Sequence, residues 1–507
     1  MTALAHLPGL RFAVAAPLRD ASPIRSDVAG FMGQFRRGPL GRAVRVEGWR
    51  ELCAVYGGLR RDVSAAYAVR GYFENEGEVA HVVRLAGVGA NSASAAWTIT
   101  GLPVSSGFAS AGYRIRATSE GVWANDLLVE LAYRRDGRDG RPEVDVVVRC
   151  AGEPTELHAR IEPALITELV SPLIAIEIDP LAPPLPVSPL PGPRHAAWSV
   201  TLANGVDAAP SRIEYLRAIE LLGDVPEVAL VALPDLHDVL GSDVDRYEVL
   251  AVALRQAKDL HDRLVIIDVP ERDAGEAIEW VTDLRSFADD DTHRAGAVYH
   301  PVLRVNDPLG GFAAPQRRLA SSGHVAGVIS KLDRERGAHH SPANAPVIDA
   351  VDVDLLYDDA DLERLTLAGI DPVICRCGRG LQIWGARTLD LVHPSHRFVA
   401  HRRLVHRLVR VIRRVAEPLV FDTNGPELWL AIVRAITTVL LDAYRAGALK
   451  GHRPEDAFRV RCDETTNPVE ERDLGRCLCE IEIAPAVPME FITLRIALST
   501  DGRLEVT

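Results

Sequence analysis

Apolar and polar positions alternate in long blocks between residues 225 and 300. Short runs of consecutive apolar residues, typical of strands buried on both faces, are separated by longer stretches with helical periodicity. This order predicts a parallel sheet with helices packed on both faces, and we assign residues 197–360 to this α/β core. The predicted strands are Glu227–Leu233, Leu264–Asp268 and Gly296–Tyr299, and the predicted helices lie near 245–261 and 273–287.

The N-terminal region divides into two segments with different patterning. Residues 1–25 carry Pro8, Pro17 and Pro23 and show little periodicity, which predicts an extended arm without a core of its own. Residues 26–85 contain strand and helix patterns, and we assign them to the N-terminal part of the core. The predicted strands are Val28–Gly33, Val44–Val46 and Ala80–Leu85, and the predicted helices are Trp49–Tyr56 and Val63–Phe73.

Residues 86–196 are richer in Thr, Ser and Gly and contain segments of alternating hydrophobicity. Two examples are Asp126–Ala132 and Val144–Val148. Alternation with a period of two predicts strands that are buried on one face. The segment Asp179–Pro193 is rich in proline, which favours a stiff, extended connector. We therefore predict a β-rich module inserted into the α/β core.

The C-terminal region, residues 361–490, is predicted to form a second α/β unit. Asn424, Pro426 and Glu427 suggest a cap, a first-turn proline and an early acid before an apolar segment that runs to Leu441. We expect this helix to be buried. Strands are predicted at Ala457–Asp463 and Cys479–Ala484, and residues 491–507 form a β-prone tail with an Asp-Gly turn.

Composition excludes several classes of protein. A chain of 507 residues with 47% hydrophobic and 25% charged residues is expected to fold into several domains. A formal charge of −13 argues against bulk binding to nucleic acid or anionic lipid. The N-terminus lacks a cationic signal-peptide region, and the most apolar segment is interrupted by Arg434. Seven scattered cysteines favour reduced thiols, and we expect the protein to be made and folded in the bacterial cytoplasm.

The sequence offers few candidates for a metal or cofactor site, and none has the ligand spacing typical of one. The pairs Cys375/Cys377 and Cys477/Cys479 could in principle form a four-thiolate site, but C-x-x-C knuckles are absent and buried thiols are favoured. The adjacent His339 and His340, near Asp333 and Glu335, lie in a charged segment where solvated side chains are the norm. Phosphate-binding glycine motifs are absent from the sequence. We therefore predict no metal and no cofactor.

Serine hydrolysis is the enzyme class that the sequence allows us to test directly. The candidate groups are Asp268, His324 and either Ser321 or Ser322. A nucleophilic serine needs a nearby base and an oxyanion hole on a strained turn. The chain has no G-x-S-x-G elbow, and Ser321–Gly327 is instead predicted as a loop of small residues leading into a packed element. No catalytic residue is predicted.

Several segments resemble the tail sheath proteins of contractile phages and of phage-tail-like injection systems. Members of this family share a core motif whose matching residues here are Gly323, His324, Asn344, Trp384 and Arg387. We expect Trp384 to pack in the core and Arg387 to hydrogen-bond carboxylates or carbonyls. The resembling segments are Ala68–Gly77 (AVRGYFENEG), Ser321–Gly327 (SSGHVAG), Arg336–Asn344 (RGAHHSPAN), Leu381–Thr388 (LQIWGART) and Ala484–Phe491 (APAVPMEF).

The resemblance implies an architecture and a mechanical function. It implies a multi-domain α/β subunit with a subtilisin-like core, an inserted β-rich module and a C-terminal sheath domain, flanked by two arms. Such subunits polymerise as stacked hexameric rings around an inner tube, with baseplate and terminal cap proteins, and contract to drive the tube through a target envelope. The finished assembly is a phage tail or a released particle, without nucleic-acid partners or membrane insertion. The arm residues would include Pro8, Gly9, Phe491, Leu494 and Ile496.

Two alternatives to this function remain open from sequence. One is a non-contractile shell or S-layer-type structural protein, which would also polymerise but would form sheets or shells. The other is the subtilisin-like hydrolase considered above. Tubes of stacked rings, flat sheets and a reactive serine are the three outcomes that separate these functions.

A dense basic helix is the most distinctive charge feature of the chain. Apolar Leu404, Leu408 and Val411 recur at helical spacing, which places the arginines on the opposite face of an amphipathic helix. Two interpretations follow, either a solvated helix face or a docking surface for acidic groups of the inner tube or of neighbouring subunits. The arginines on this predicted face are Arg402, Arg403, Arg407, Arg410 and Arg414.

Overall fold

The structure is a computed structural model, and the described residues begin at residue 25, at the end of the predicted N-terminal arm. It describes residues 25–104, 107–134, 143–182, 195–270, 272–419, 422–486, 492–498 and 504–506. Pro8, Gly9 and Phe491 therefore lie outside the described residues. The first elements are β1 (Ala29–Gly33), β2 (Val44–Val46), α1 (Trp49–Tyr56), α2 (Ala65–Glu74) and β3 (Ala80–Arg84).

The β-rich region that follows forms two antiparallel sheets around its own apolar core. The three-stranded sheet has the order β4-β5-β9 and the four-stranded sheet β10-β6-β7-β8. Trp123, Leu127 and Val146 are buried between them. The strands are β4 (Ser94–Val104), β5 (Gly107–Ala117), β6 (Leu128–Arg134), β7 (Glu143–Arg149), β8 (Glu156–Ile161), β9 (Ile174–Ile178) and β10 (His195–Thr201).

Strands and helices alternate in the next segment, as the sequence pattern predicts. Two of its helices begin with capping boxes, formed by Ser211 with Glu214 and by Asp273 with Glu276, which bind the first free backbone N–H groups. The elements are α3 (Arg212–Gly223), β11 (Leu230–Ala232), α4 (Leu236–Val239), α5 (Asp243–Leu260), β12 (Leu264–Asp268), α6 (Ala274–Phe287) and β13 (Gly296–His300).

The remaining elements complete the core and build the C-terminal domain. A small antiparallel sheet of order β15-β14-β16 lies beside the core. The elements are β14 (Leu303–Asn306), β15 (Gln316–Leu319), α7 (Ser322–Glu335), β16 (Asp352–Val353), α8 (Asp359–Leu367), β17 (Ile370–Arg376), β18 (Gly380–Ile383), α9 (Val399–Ala416), α10 (Pro426–Arg445), α11 (Pro454–Ala457), β19 (Phe458–Arg461), α12 (Val469–Asp473), β20 (Cys477–Ile483), β21 (Ile492–Leu498) and β22 (Leu504–Val506).

One eight-stranded sheet organises the body of the molecule, in the order β18-β17-β13-β12-β11-β1-β3-β2. The six strands from β17 to β3 are parallel, and β18 and β2 close the edges in antiparallel pairing. β17 joins this sheet through the pair Val298↔Ile370. The predicted boundary at residue 360 is therefore wrong, because the core sheet takes two strands from the segment beyond it.

Both faces of this sheet are covered by helices. α2 and α7 pack on one face, where Tyr72 and Val325 are fully buried. α3, α5 and α6 pack on the other face, where Leu250 and Trp280 are buried. Parallel strands buried on both sides need such continuous apolar runs. The predicted layer order is confirmed by these two clusters.

The C-terminal domain packs α9 and α10 against a four-stranded sheet of order β19-β20-β21-β22. Its apolar core includes Leu408, Ile432 and Ile481. α10 begins at Pro426, and the residue before it, Gly425, occupies the cap position. The predicted capping role of Asn424 is wrong, because its side chain accepts a hydrogen bond from Trp429 Nε1 at 2.9 Å instead. No described helix has the length and apolar character needed to cross a bilayer.

The two described strands of the C-terminal tail pair within the single chain. β21 lies antiparallel to β20, with the pairs Ile481↔Leu494 and Cys479↔Ile496. β22 then pairs with β21 and forms the open edge of the sheet. In an isolated subunit the backbone N–H and C=O groups along the edge of β20 need partners. β21 of the same chain is the nearest strand and provides them.

Candidate functional site

The first motif segment is the start of a helix rather than the predicted loop. α7 begins at Ser322, and its small residues face the backbone of α2. A Cβ added to Gly323 would lie 2.2 Å from the Ala68 carbonyl oxygen, and one added to Gly327 would lie 2.5 Å from that of Tyr72. Close approach of the two helices thus requires glycine at these positions. The small residues of this motif therefore set the distance between α2 and α7.

His324 completes this contact from the next position of α7. Its ring is 1% exposed and packs against Gly71 of α2, where an added Cβ would lie 2.3 Å from His324 Cε1. Burial lowers the pKa of His324 to about 4, because a charged imidazole is costly away from water. At neutral pH His324 is therefore an uncharged packing residue.

The serine-hydrolase groups do not assemble into a catalytic relay. Ser322 N and Ser321 Oγ donate hydrogen bonds to Asp268 Oδ1 at 2.9 and 3.3 Å. Both serines are buried, and burial raises the pKa of Asp268 to about 6. Among the described residues no hydrogen bond joins His324 to either serine or to Asp268. The carboxylate anchors the start of α7 instead of orienting a base, so hydrolysis has no geometric support.

The second and third motif segments lie side by side. Asn344 N donates to the Ile383 carbonyl at 2.6 Å, and Ile383 N donates to the Ala345 carbonyl at 3.0 Å. Asn344 adopts a left-handed backbone with φ of 67°, a conformation that asparagine tolerates better than most residues. The segment around Asn344 therefore extends the edge of the core sheet beyond β18.

The third motif segment carries one correct and one wrong expectation. Trp384 is 36% exposed, with the Arg376 guanidinium 3.7 Å from its ring centroid, so the predicted packing of Trp384 in the core is wrong. Arg387 Nη1 donates to the Thr366 carbonyl at 2.8 Å, the kind of bond expected from the sequence. Arg387 N donates to both carboxylate oxygens of Asp371, at 2.8 and 3.0 Å.

Asp371 explains why this turn has small residues. It is fully buried, and burial raises the pKa of its carboxyl well above the usual range. A Cβ added to Gly385 would lie 2.4 Å from Asp371 Oδ1. The glycine lets the backbone close around this carboxyl, and Arg387 then spans from the turn to the end of α8.

The basic helix is buried, which corrects the prediction of an exposed arginine face. In α9, Arg402, Arg403 and Arg410 are 5%, 2% and 8% exposed, while Arg407 and Arg414 are partly exposed. Burial lowers the pKa of Arg402 to about 9 and that of Arg410 to about 10, so both stay charged at neutral pH. A docking surface for tube or neighbours therefore cannot include the three buried arginines.

Arg403 and Arg410 bind backbone carbonyls at the N-terminal ends of the parallel strands. Arg410 donates to the carbonyls of Asp262 and Glu227, both at 3.0 Å, and of Val228. Arg403 donates to the carbonyls of Ala229, at 3.1 Å, and Ser26. These acceptors directly precede β1, β11 and β12. α9 thus supplies hydrogen-bond donors to carbonyl groups at the N-terminal ends of the core strands.

Arg403 also forms a buried ion pair with Asp333 of α7, both side chains being 2% exposed. Burial raises the pKa of Asp333, and the neighbouring Arg403 opposes this rise. One helix of the C-terminal domain is therefore bonded to three strand ends and to the motif helix. We call α9 with these acceptors the arginine joint.

The cysteine and histidine pairs considered as metal ligands lie in different environments. The Cys462 and Cys477 sulfurs lie 3.8 Å apart in the C-terminal core, and Cys479 is also buried. Cys375 and Cys377 are exposed, so the expectation of buried thiols is wrong for that pair. The rings of His339 and His340 lie tilted to each other with centroids 4.2 Å apart, and Asp333 is bonded to Arg403 instead.

A groove of about 660 Å³ lies between the end of α7, α9 and α10. Arg407 lines it together with Glu335, Asp442 and the start of the described chain at Arg25. This is where the partly exposed side of α9 reaches solvent. It is also where the predicted N-terminal arm connects to the body.

Sequence reasoning missed two groups of residues. The carbonyl acceptors of the arginine joint cannot be seen in a sequence, because backbone groups carry no sequence information. Asp390, His393 and His396 converge directly after the third motif segment. Their D-x-x-H-x-x-H spacing was the available signal.

The family model for the phage tail sheath protein central domain matches residues 293–389. This range begins just before β13 and includes all three core motif segments. The tail sheath protein of Vibrio phage KVP40 is 30% identical over 337 residues, which cover 61% of this chain and 48% of that protein. The tail sheath protein of Enterobacteria phage T4 is 24% identical over 184 residues, covering 35% and 27%. The matched part thus spans about half or less of these curated relatives.

Solved structures resemble the fold along nearly the whole chain. The sheath tail protein Lin1278 from Listeria innocua aligns with a TM-score of 0.68 and 12% identity, covering 94% of this chain and 96% of that one. A sheath tail protein from Desulfitobacterium hafniense gives 0.62 and 14%, covering 94% and 97%. The helical sheath of the anti-feeding prophage in the contracted state gives 0.56 and 19%, covering 96% and 98%.

These observations point to one conclusion. The second and third motif segments pair beside β18 at the edge of the core sheet, the first packs α7 against α2, and the matched family model spans all three. Residues 293–389 match the phage tail sheath protein central domain, and the chain is similar to tail sheath proteins in sequence and in fold.

Proposed function

We propose that the chain is the subunit of a contractile sheath. Subunits polymerise as stacked hexameric rings around an inner tube and contract to drive that tube through a target envelope. The observation that supports this most directly is the likeness, over nearly the whole chain, to sheath assemblies solved in the contracted state. The motif segments support a structural role as well, because each makes packing or backbone contacts inside the body.

The arginine joint supports a body that moves as one unit. α9 bonds the C-terminal domain to three strand ends and to α7 through buried, charge-assisted hydrogen bonds. Such contacts resist relative motion of the two domains. The parallel sheet between two helical layers also agrees with the subtilisin-like core that the resemblance implies, without its chemistry.

The terminal strands supply the second mechanical element. β21 pairs with β20 of its own chain, and the same pairing can form between chains when the tail is exchanged with a neighbour. Backbone hydrogen bonds then provide affinity, and side chains set the register. We propose that the N-terminal arm and the tail link each subunit to its neighbours in this way while the bodies rotate and slide.

Contraction then needs no catalyst. We propose that the extended sheath is metastable and that the contracted sheath has a larger or better-matched contact area. A gain of a few hundred Å² of apolar contact per subunit would release several kcal/mol, at about 25 cal/mol per Å². This energy is multiplied over every ring of the sheath.

The partners follow from this proposal. They are further copies of the chain, the inner tube protein, and the baseplate and terminal cap proteins. Assembly takes place in the bacterial cytoplasm, and the product is a phage tail or a tail-like particle. The overall negative charge, −13, agrees with the absence of a nucleic-acid partner.

Electron microscopy of the purified chain tests the proposal. Negative staining, with and without the inner tube protein, is expected to show tubes of stacked rings. Flat sheets or closed shells would instead favour the S-layer or capsid alternative. Deleting residues 1–20 or 492–507 is expected to leave folded monomers that do not form tubes, and normal tubes from both deletions would overturn the arm assignment.

A further inference from the structure

The segment between the third motif and α9 is a short loop closed by Thr388. The fully buried Thr388 Oγ1 donates to the His396 carbonyl at 2.7 Å and accepts from Asp390 N at 3.2 Å. Thr388 N donates to the Arg397 carbonyl at 2.8 Å. These bonds hold the two ends of the loop together. The side chains inside it are therefore presented in a fixed arrangement.

Three ligand-type atoms converge in this loop. Asp390 Oδ2 lies 3.1 Å from His393 Nδ1 and 3.2 Å from His396 Nδ1. The three ligand atoms all lie within 4.8 Å of one another. Asp390 Oδ1 accepts from Val392 N and His393 N, at 3.0 and 2.9 Å, which fixes the orientation of the carboxylate.

The two separations between Asp390 and the histidines match the distance between neighbouring ligands in a metal coordination shell. Zinc binds histidine nitrogen at about 2.0–2.1 Å and carboxylate oxygen at about 2.0–2.2 Å, which places neighbouring ligands of a tetrahedron about 3.3 Å apart. We propose that Asp390, His393 and His396 form a binding site for a transition-metal ion of the Zn²⁺ class. Two imidazoles and one carboxylate suit such ions better than Mg²⁺ or Ca²⁺, which need more oxygen ligands.

The site is open on one side. The side chain of Asp390 is 5% exposed, that of His396 is 20% exposed and that of His393 is 60% exposed. An ion can therefore enter past His393, and a water molecule or another ligand can complete the shell. Arg402 and Arg294 lie close enough to interact with His396, which weakens cation binding. We expect a reversible site of lower affinity than a four-ligand structural zinc.

Metal binding here would join the motif turn to the start of α9. Because the ion binds only the folded loop, it stabilises the folded state, and the stabilisation rises with the logarithm of its affinity. The ion would therefore reinforce the connection between the core sheet and the arginine joint. This role is independent of the proposed contraction, and its test does not require assembled sheaths.

The test is a titration of Zn²⁺ into chelator-treated full-length chain against a chromophoric chelator. We expect uptake of about one equivalent that His393→Ala and His396→Ala each weaken at least about tenfold. Asp390→Asn should weaken it too, while leaving an oxygen in place for the turn. The double substitution of His339 and His340 by alanine is the control and should leave affinity unchanged.

Two further readouts keep the outcome decisive. Bound Co²⁺ should give the visible absorption of a tetrahedral site in the wild type and lose it in the His393→Ala variant, which changes an exposed side chain and should retain the wild-type circular dichroism. Absence of stoichiometric uptake by the wild type would overturn the proposal. So would equal affinity in the wild type and in the variant lacking both His393 and His396.

Discussion

The arginine joint and the C-terminal sheet belong to the same part of the sequence but are held together in opposite ways. In the joint, buried guanidinium groups bind carbonyls and a carboxylate that have no access to water. In the sheet, β21 and β22 pair through backbone hydrogen bonds along an open edge. A buried charge cannot leave its partner without a large cost, whereas a strand can exchange one backbone partner for an identical one. Under the proposed function, this contrast distinguishes a fixed body from a terminal strand that is exchanged between subunits.

The largest effect is expected at Arg403. Arg403→Ala leaves Asp333 buried without a cationic partner and should lower the free energy of unfolding by about 3–5 kcal/mol. Arg407→Ala, one turn further along the same helix at a partly exposed position, should change it by less than about 0.5 kcal/mol. Urea unfolding followed by circular dichroism measures both. Equal losses in the two variants would mean that the joint is not the main contact.

The second effect is a pH dependence carried by His324. Its folded pKa, about 4, lies below its unfolded value of 6.5, so the unfolded chain takes up the proton first as pH falls. His324 therefore supports folding fully above pH 6.5 and loses about 3 kcal/mol of that support as pH falls to 4. The substitution His324→Gln removes this pH-dependent contribution to the free energy of unfolding.

The measurement is the difference in unfolding free energy between wild type and His324→Gln at pH 7 and pH 4.5. The advantage of the wild type should shrink at the lower pH. His452→Gln, at an exposed position, is the control and should give the same difference from wild type at both pH values. If the difference in unfolding free energy between wild type and His324→Gln is the same at both pH values, His324 acts through packing alone.

A smaller effect is expected where helices of the body touch through glycine. Gly323→Ala would place a Cβ 2.2 Å from the Ala68 carbonyl oxygen and should destabilise the body by about 1–3 kcal/mol. Gly275→Ala in α6 is the matched control, since its nearest neighbour would lie 3.4 Å away. That change should stabilise the helix by up to about 1 kcal/mol. Thermal unfolding of both variants gives the sign, and a stabilising Gly323→Ala would contradict close helix contact.

The smallest effect on the body is expected from loss of the tail. Deleting residues 492–507 removes β21 and β22, whose backbone pairing in the single chain joins them to β20 and to each other. Hydrogen exchange measured by mass spectrometry should show loss of protection in β20 and unchanged protection in β12 and β13. Loss of protection in those two core strands would show that the tail is part of the body and not a separable link.

Local patterns predicted many of the elements correctly. Leu264–Asp268 was predicted at its observed bounds, and the helix observed at Ala274–Phe287 was placed within one residue, because burial on both faces and capping residues are local signals. Ser321–Gly327 was wrongly predicted as a loop, since its small residues suit a close helix contact as well as a turn. The boundary at residue 360 failed because the pairing of β17 with β13 joins distant segments.

The sequence by itself determined the α/β class, the layered order of the core and the likeness to tail sheath proteins, since continuous apolar strands and short motifs can be read directly along the chain. Only the tertiary structure decided what the motif and charged residues do. The arginines of α9 have the spacing of a solvated face, but the strand ends they meet carry carbonyl groups that need donors, and a buried guanidinium is stable there. Charge patterns report what a helix can bind, and only packing decides whether that partner is water, another protein or the same chain.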